Sequence, residues 1–191
     1  MSTQLFKPDI YVERIVDVPA QFLRDRGRKG LLLDMDGTLK NFHDVWVSPS
    51  VVNWMNMLRD SGIRLCLLSN GRANRIAKLA TDLDVPFVAQ AFKPFPYGCR
   101  KAVRMLNLAN SEVAIAGDQL FADHLAGRLA GLLTILVRPT SRQEPWFTRV
   151  KRPFESILTS SLIPDALHQY EPQNTKLIDE TAESDQSRVE H

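Results

Sequence analysis

The chain has 191 residues, 44% of them hydrophobic and 24% charged, so it is long enough to bury a core and has the composition of an ordinary globular domain. The formal net charge is +2, which is too modest to favour a nucleic-acid-binding protein. Two cysteines without metal-ligand spacing, and no apolar run of about 18 residues, exclude a disulfide scaffold, a cysteine metal site and a membrane-spanning segment.

Five short apolar runs are the predicted strands. They hardly alternate between apolar and polar residues, as expected of strands that are covered on both faces. Residues 1–30 precede them as an amphipathic lead-in, which we expect to pack on the core. The predicted strands are Leu31–Met35, Arg64–Leu68, Pro86–Ala89, Val113–Ala116 and Leu132–Val137.

Amphipathic segments between these runs are the predicted helices. The first begins after Ser48, a capping residue, and ends at Gly62; the others cover 72–83, 97–108 and 119–130. Strands that alternate with helices form a parallel sheet with helices on both faces. We therefore predict a three-layer, Rossmann-like α/β fold with about five strands, whose ligand binds beyond the carboxyl ends of the strands.

The C-terminal third differs from this pattern. We place the main domain at 31–160, within which the segment 142–158 interleaves aromatic and basic side chains. This segment is either a C-terminal helix packed on the sheet with its basic side outward or a surface that docks on anionic lipid, and the two interpretations are compatible. Residues 171–191 hold six acids against two bases. We expect this acidic tail to be disordered.

Polar residues follow the predicted strands at the point where each one ends. Asp34 closes the first strand, and Asp36, Gly37 and Thr38 come directly after it. Gly37 allows a tight turn there. Two acids delivered to one place by the most apolar run of the chain point to a site at that edge of the sheet.

The later strands add to the same edge. Ser69 and Asn70 follow the second strand, Lys93 follows the third, and Asp118 and Asp123 follow the fourth. Carboxylates crowd together where a cation neutralises them, and an all-oxygen ligand set favours Mg²⁺. A cation, an ammonium and a hydroxyl together suit the binding of a phosphoryl group.

These residues resemble the four motifs of the haloacid dehalogenase (HAD) superfamily of aspartate-nucleophile phosphatases. The run Asp34–Thr38 resembles motif I, Ser69 motif II, Lys93 motif III, and Gly117-Asp118 with Asp123 motif IV. The flanking sequences "PDIYVERIVDV", "GDQLFAD" and "TRVKRPFE" resemble the capless IIIA subclass, and within it the YqeG-type, phosphatidylglycerophosphatase-related family. Gly37 is a departure, because that narrower family often has Asn there.

The resemblance implies a role for each acid. Asp34 would attack phosphorus and form an aspartyl-phosphate, and Asp36 would protonate the leaving oxygen and then activate water. Asp34, the backbone carbonyl of Asp36, and Asp118 would bind Mg²⁺, while Asp123 would hold a metal-bound water or orient Lys93. Lys93 would neutralise charge on the phosphoryl group and the nucleophile.

The same resemblance implies the substrate contacts. Ser69 and the backbone N–H groups of the motif I turn, at Gly37 and Thr38, would hold phosphate oxygens. Three residues that follow motif II near the rim are candidates for contact with the leaving group, with a solvated helix face as the alternative: Asn70, Arg72 and Arg75. His124, beside Asp123, is interpreted as structural rather than catalytic.

The spacing leaves no room for a cap domain, because 25 residues from Leu39 to Ile63 and 22 from Gly71 to Phe92 are taken up by predicted elements. An open site suits a bulky substrate, and the resemblance favours the lipid phosphatidylglycerophosphate. A soluble sugar phosphate or nucleotide is the alternative, and a phosphorylatable receiver domain is a third. We expect a cytoplasmic protein, with peripheral contact with an anionic membrane or a homo-oligomer left open, and no nucleic-acid partner.

Overall fold

The computed structural model describes residues 7–41 and 44–140. Its centre is one sheet in which every paired strand is parallel. The strands are β1 (Ile10–Val12), β2 (Gly30–Leu33), β3 (Arg64–Leu68), β4 (Phe87–Val88), β5 (Val113–Gly117) and β6 (Leu133–Val137). Their order across the sheet is β1-β6-β5-β2-β3-β4.

Helices cover both faces of this sheet. Besides the α-helices, the described residues form three short helical segments of a single turn each: 3₁₀ turns at Ile15–Asp17 and Asn110–Glu112, and a π-helical turn at Leu120–His124. The α-helices are α1 (Ala20–Asp25), α2 (Pro49–Asp60), α3 (Ala73–Asp82), α4 (Tyr97–Met105) and α5 (Leu125–Ala130). None of these helices reaches the length and apolarity of a bilayer-spanning segment.

The side chains of each central strand divide between two hydrophobic clusters. Leu31 and Leu33 of β2 belong to the cluster that includes the buried residues of α1, α2 and α3, whereas Leu32 belongs to the cluster with those of α4 and α5. Alternate residues of a strand point to opposite faces, so this division defines the three layers. The predicted Rossmann-like α/β fold is confirmed.

Six strands form the sheet in the described residues, where the sequence predicts about five. The additional strand, β1, lies in the lead-in and pairs with β6 from Ile10↔Ile135 to Val12↔Val137. Three residues are too few to show a strand periodicity, so the sequence could not mark it. Asp9 adds contacts at the same place, because its Oδ2 accepts hydrogen bonds from Thr134 N and Thr134 Oγ1, both at 2.9 Å.

The described part of the lead-in that follows β1 also lies against the core. Ile15, Val18, Phe22 and Leu23 are buried, and the Trp54 indole N–H in α2 donates to Val18 O at 2.7 Å. The three boundaries that the sequence suggested, at residues 30, 160 and 171, stay predictions. The basic-aromatic segment 142–158 and the acidic tail 171–191 lie outside the described residues.

The other predicted strands and helices differ from the observed ones mainly in where they begin and end. The first long helix begins as expected, with Ser48 Oγ accepting a hydrogen bond from Val51 N at 3.4 Å and Pro49 in the first turn. The third predicted strand shrinks to the two residues of β4. The predicted helix 119–130 is divided, because its first turn is π-helical and only its second half is α-helical.

Candidate active site

The carboxyl ends of β2 and β5 lie side by side in the middle of the sheet. From β2 the chain continues to β3 and β4 on one side, and from β5 it continues to β6 on the other. This reversal of strand order is where ligands bind in open parallel sheets. Asp34 follows β2, and its N–H donates to Ala116 O in β5 at 2.9 Å, which extends the pairing to the edge.

The ammonium of Lys93 lies at the centre of the site. Its Nζ atom is 2.5 Å from Asp34 Oδ1, 2.5 Å from Asp123 Oδ1 and 3.1 Å from Leu68 O. These three bonds use all the donors of a lysine. Burial acts to lower the pKa of Lys93, but the charges of Asp123 and Asp34 raise it above its ordinary value, so the ammonium stays charged.

Asn70 determines where Lys93 lies. Its Nδ2 donates to Lys93 O at 3.0 Å, and its Oδ1 accepts from Lys93 N at 2.8 Å. The preceding residue, Phe92, has a φ of +55°, a left-handed conformation that is unfavourable for a bulky residue. The two bonds from Asn70 stabilise that loop, so the amide that we expected to face the leaving group is engaged with the main chain.

Three acids converge at this edge. One carboxylate oxygen each from Asp34, Asp118 and Asp123 lies within 4.8 Å of the others, and all three residues are buried. Two glycines make room for them: a Cβ at Gly37 would come 2.3 Å from Asp118 Oδ2, and one at Gly117 would come 2.3 Å from Asp123 Oδ2. Gly37 also has a φ of +88°, so a side chain there is disfavoured twice.

The acid cluster fits a divalent cation. Asp34 Oδ2 is buried and has no hydrogen-bond donor in the described part of the chain. Burial and the charge of Asp123 raise the pKa of Asp34 to about 7, although Lys93 acts in the opposite direction. A cation held by Asp34, Asp118 and Asp123 would favour their ionised forms and provide the missing partner. Since every donor is an oxygen, a hard ion such as Mg²⁺ suits the set.

Asp36 lies outside that cluster and has its own cations. Lys40 Nζ is 2.7 Å from Asp36 Oδ1, and Arg75 Nη2, from α3, is 3.0 Å from the same carboxylate. The Lys40 side chain is only 5% exposed, whereas that of Arg75 is 44% exposed. Sequence reasoning missed Lys40, and its only signal was its position four residues after Asp36.

The residues predicted to hold phosphate oxygens differ in whether their hydrogen-bonding groups are already engaged. Ser69 Oγ accepts a hydrogen bond from Gly71 N at 3.1 Å, which leaves its own O–H to donate elsewhere. Gly37 N–H donates to Lys40 O at 2.8 Å and is therefore engaged within the loop. Thr38 Oγ1 is buried, with no hydrogen-bond partner among the described residues.

His124, next to Asp123, is buried in the π-helical turn. Burial, followed by the charge of Arg128, lowers its pKa to about 4, so the imidazole is neutral near pH 7. No contact links it to Lys93 or Asp34 in the described residues. We continue to interpret it as structural.

Comparisons with known proteins agree with this geometry. A family model for haloacid dehalogenase-like hydrolases matches residues 45–131, a span that begins after the Asp34–Thr38 run. The protein described as probable phosphatase YqeG of Bacillus subtilis (strain 168) is 31% identical over 162 residues, which cover 85% of this chain and 94% of that protein.

Two further similarities are weaker. The phosphatidylglycerophosphate phosphatase 1, chloroplastic/mitochondrial, of Arabidopsis thaliana is 25% identical over 169 residues, covering 81% of this chain and 47% of that protein. A solved structure, the cobalt-bound deoxy-D-mannose-octulosonate 8-phosphate phosphatase of Haemophilus influenzae, is 17% identical with a TM-score of 0.48, and the match covers 66% of this chain and 75% of that one. A similarity of this last size supports no conclusion about substrate.

Mg²⁺ should raise the unfolding temperature of the metal-free protein, because the ion binds the three acids only when they are brought together by folding. At about 100 times the dissociation constant the stabilisation is about 2.7 kcal/mol. Asp118→Asn should abolish most of this rise, whereas Asp82→Asn, a matched change at an exposed acid of α3, should keep it. Calorimetry that shows the same rise in Asp118→Asn as in the wild type would contradict the site.

Proposed function

The chain belongs to the haloacid dehalogenase-like hydrolases and acts on phosphate esters, and from this premise we propose that it is a Mg²⁺-dependent phosphomonoesterase that converts phosphatidylglycerophosphate to phosphatidylglycerol. The observation that carries the chemistry is the buried Lys93 ammonium, bonded to Asp34 and Asp123 at the reversal of strand order. This arrangement supports attack on an anionic phosphoryl group, because the ammonium keeps Asp34 in place and compensates charge.

Asp34 is the nucleophile in this proposal. Lys93 fixes the carboxylate through Oδ1, and a bond forms between a carboxylate oxygen of Asp34 and phosphorus as the bond from phosphorus to the ester oxygen breaks. Asp36 donates a proton to that leaving oxygen. In the second step Asp36 takes a proton from water, which attacks phosphorus and releases phosphate and free Asp34.

Charge on the phosphoryl oxygens is balanced by groups that the fold places beforehand. Gly71 N–H donates to Ser69 Oγ, so the O–H of Ser69 remains a donor for a phosphate oxygen. The Lys93 ammonium adds fixed positive charge in a site where burial strengthens electrostatic interactions. A Mg²⁺ ion bound by Asp34, Asp118 and Asp123 would supply further charge stabilisation for the phosphoryl oxygens.

The choice of a lipid substrate is supported by the loop around Lys93 and by the Arabidopsis relative whose printed name states phosphatidylglycerophosphate. Phe92, Phe95 and Tyr97 are 64%, 68% and 62% exposed, and all three lie within four residues of Lys93. Trp46, in the segment after motif I, is 58% exposed and is covered on one side by Lys78, whose Nζ lies 4.6 Å from the ring. Aromatic side chains with neighbouring cations suit the interface of an anionic membrane.

A soluble phosphate ester is the second candidate, with the same residues in the same roles. It is favoured if the aromatic side chains near Lys93 cover the site in an oligomer instead of contacting lipid. A lipid phosphate is hydrolysed at the surface of a micelle or membrane, whereas a soluble ester is hydrolysed in free solution. Comparing micellar with soluble substrates therefore separates the two candidates.

Phosphate release should be fastest from phosphatidylglycerophosphate in mixed micelles, should require Mg²⁺, and should be lost in Asp34→Asn while the protein stays folded. The measurement is phosphate release with Mg²⁺ or EDTA, beside sugar phosphates, nucleotides and glycerol 3-phosphate. Turnover of one soluble ester with none of the lipid would overturn the lipid substrate. Retention of most activity in Asp34→Asn would overturn the chemistry as well.

Replacing Phe95 by Ser should reduce kcat/KM on the lipid about tenfold, because the apolar contact of this side chain with lipid is lost. A tenfold change corresponds to about 1.4 kcal/mol, which is about half or more of the free energy gained by burying a Phe side chain. Hydrolysis of 4-nitrophenyl phosphate, which needs no such contact, should be unchanged. Met57→Ser is the control, since Met57 is also exposed but lies on α2 near its C-terminal end. Equal losses on both substrates, or no loss on the lipid, would contradict membrane contact by this loop.

A further inference from the structure

We propose that Lys40 is a positioning residue that holds Asp36 in the orientation needed to pass a proton to the leaving oxygen. This inference rests on the proposed phosphatase chemistry and adds to it a residue outside the four motifs. Lys40 follows the motif I turn by two residues, and it acts through Asp36 rather than on the substrate.

The environment of the Lys40 ammonium supports this role. Its side chain is 5% exposed, and Nζ donates to Asp36 Oδ1 at 2.7 Å and to Asn41 O at 3.3 Å. Burying an ammonium is unfavourable unless a charged partner and further hydrogen bonds compensate it. The ionised Asp36 carboxylate provides that partner. When Asp36 carries its proton on Oδ2, Oδ1 can still accept from Lys40, so the two side chains hold each other in one geometry in both states.

The backbone keeps both ends of this pair in place. Asp36 and Lys40 form a parallel β-bridge. Gly37 N donates to Lys40 O at 2.8 Å, and Lys40 N donates to Met35 O at 3.3 Å. The turn therefore closes on itself, and the side chain of Lys40 returns to the acid that begins the turn.

Lys93 does not substitute for Lys40. Its three donors are used by Asp34, Asp123 and Leu68 O, so it has none for Asp36. The site thus contains two lysine–carboxylate systems. Lys93 serves the nucleophile, and Lys40 serves the proton donor.

Arg75 is the second cation on Asp36, but its exposure differs. Lys40 is 5% exposed and is part of the same turn, whereas Arg75 reaches across from α3 and is 44% exposed. A leaving group reaches Asp36 from solvent and departs into solvent. The exposed Arg75 therefore lies on the side where the leaving group enters and departs. Lys40 contacts the acid from the interior and stays bound to it while the ester reacts.

The test uses two esters that differ in their need for a proton. Benzyl phosphate leaves as an alkoxide that must be protonated, while 4-nitrophenyl phosphate leaves as a stable phenolate. Lys40→Met and Lys40→Gln should lower kcat/KM on benzyl phosphate by about 100-fold or more and on 4-nitrophenyl phosphate by less than about tenfold. The ratio kcat/KM is chosen because it covers the steps up to departure of the leaving group.

Lys29→Met is the matched control. Lys29 forms an ion pair with Glu112 at 2.6 Å and directly precedes the amino end of β2, away from the site. It should leave both values unchanged.

Equal losses on the two esters, no loss on either, or failure of both Lys40 variants to fold would each overturn the positioning role, since each indicates a purely structural lysine or a dispensable one. Thermal unfolding of every variant identifies the last case. Wild-type protein that hydrolyses neither ester would instead overturn the proposed phosphatase chemistry, so the two failures are distinguishable.

Discussion

The buried contact of the Lys93 ammonium with Asp34 and Asp123 is the interaction on which the rest of the site depends. Two carboxylates at this depth repel each other, and each loses hydration, so they stay ionised only if positive charge is supplied between them. The neighbouring features serve that contact: Asn70 fixes the main chain of Lys93, and Gly117 leaves room for the side chain of Asp123. The parallel sheet brings Asp34, Lys93 and Asp123 to one edge.

Much of this arrangement could be predicted from the sequence because it depends on local patterns. Asp34 ends an apolar run, and parallel strands bring their carboxyl ends together, so the convergence of the acids follows from the alternation of strands and helices. The hydrogen bonds of Asn70 to Lys93 join residues 23 positions apart, and no pattern in a single sequence records such a pairing. The short strand β1 was missed for a related reason, since it is defined by its partner β6 and by Asp9 rather than by its own three residues.

The nucleophile and the acid–base residue of the proposed reaction lie in different surroundings. The nucleophile belongs to a buried cluster with a lysine and two further acids, while the acid–base residue Asp36 lies nearer to solvent between a buried and an exposed cation. An ester that reaches Asp36 from solvent would meet the exposed cation, Arg75, first.

In the proposed reaction the phosphoryl group passes through Asp34. The most direct measurement is mass spectrometry of Asp36→Asn protein that has been mixed with 4-nitrophenyl phosphate and quenched in acid. This ester needs no proton for its leaving group, so the intermediate should form, and the loss of Asp36 should slow its hydrolysis and let it accumulate. We expect a mass increase of one phosphoryl group, located at Asp34 and removed by hydroxylamine. An adduct at another residue, or none although the wild-type protein hydrolyses that substrate, would contradict it.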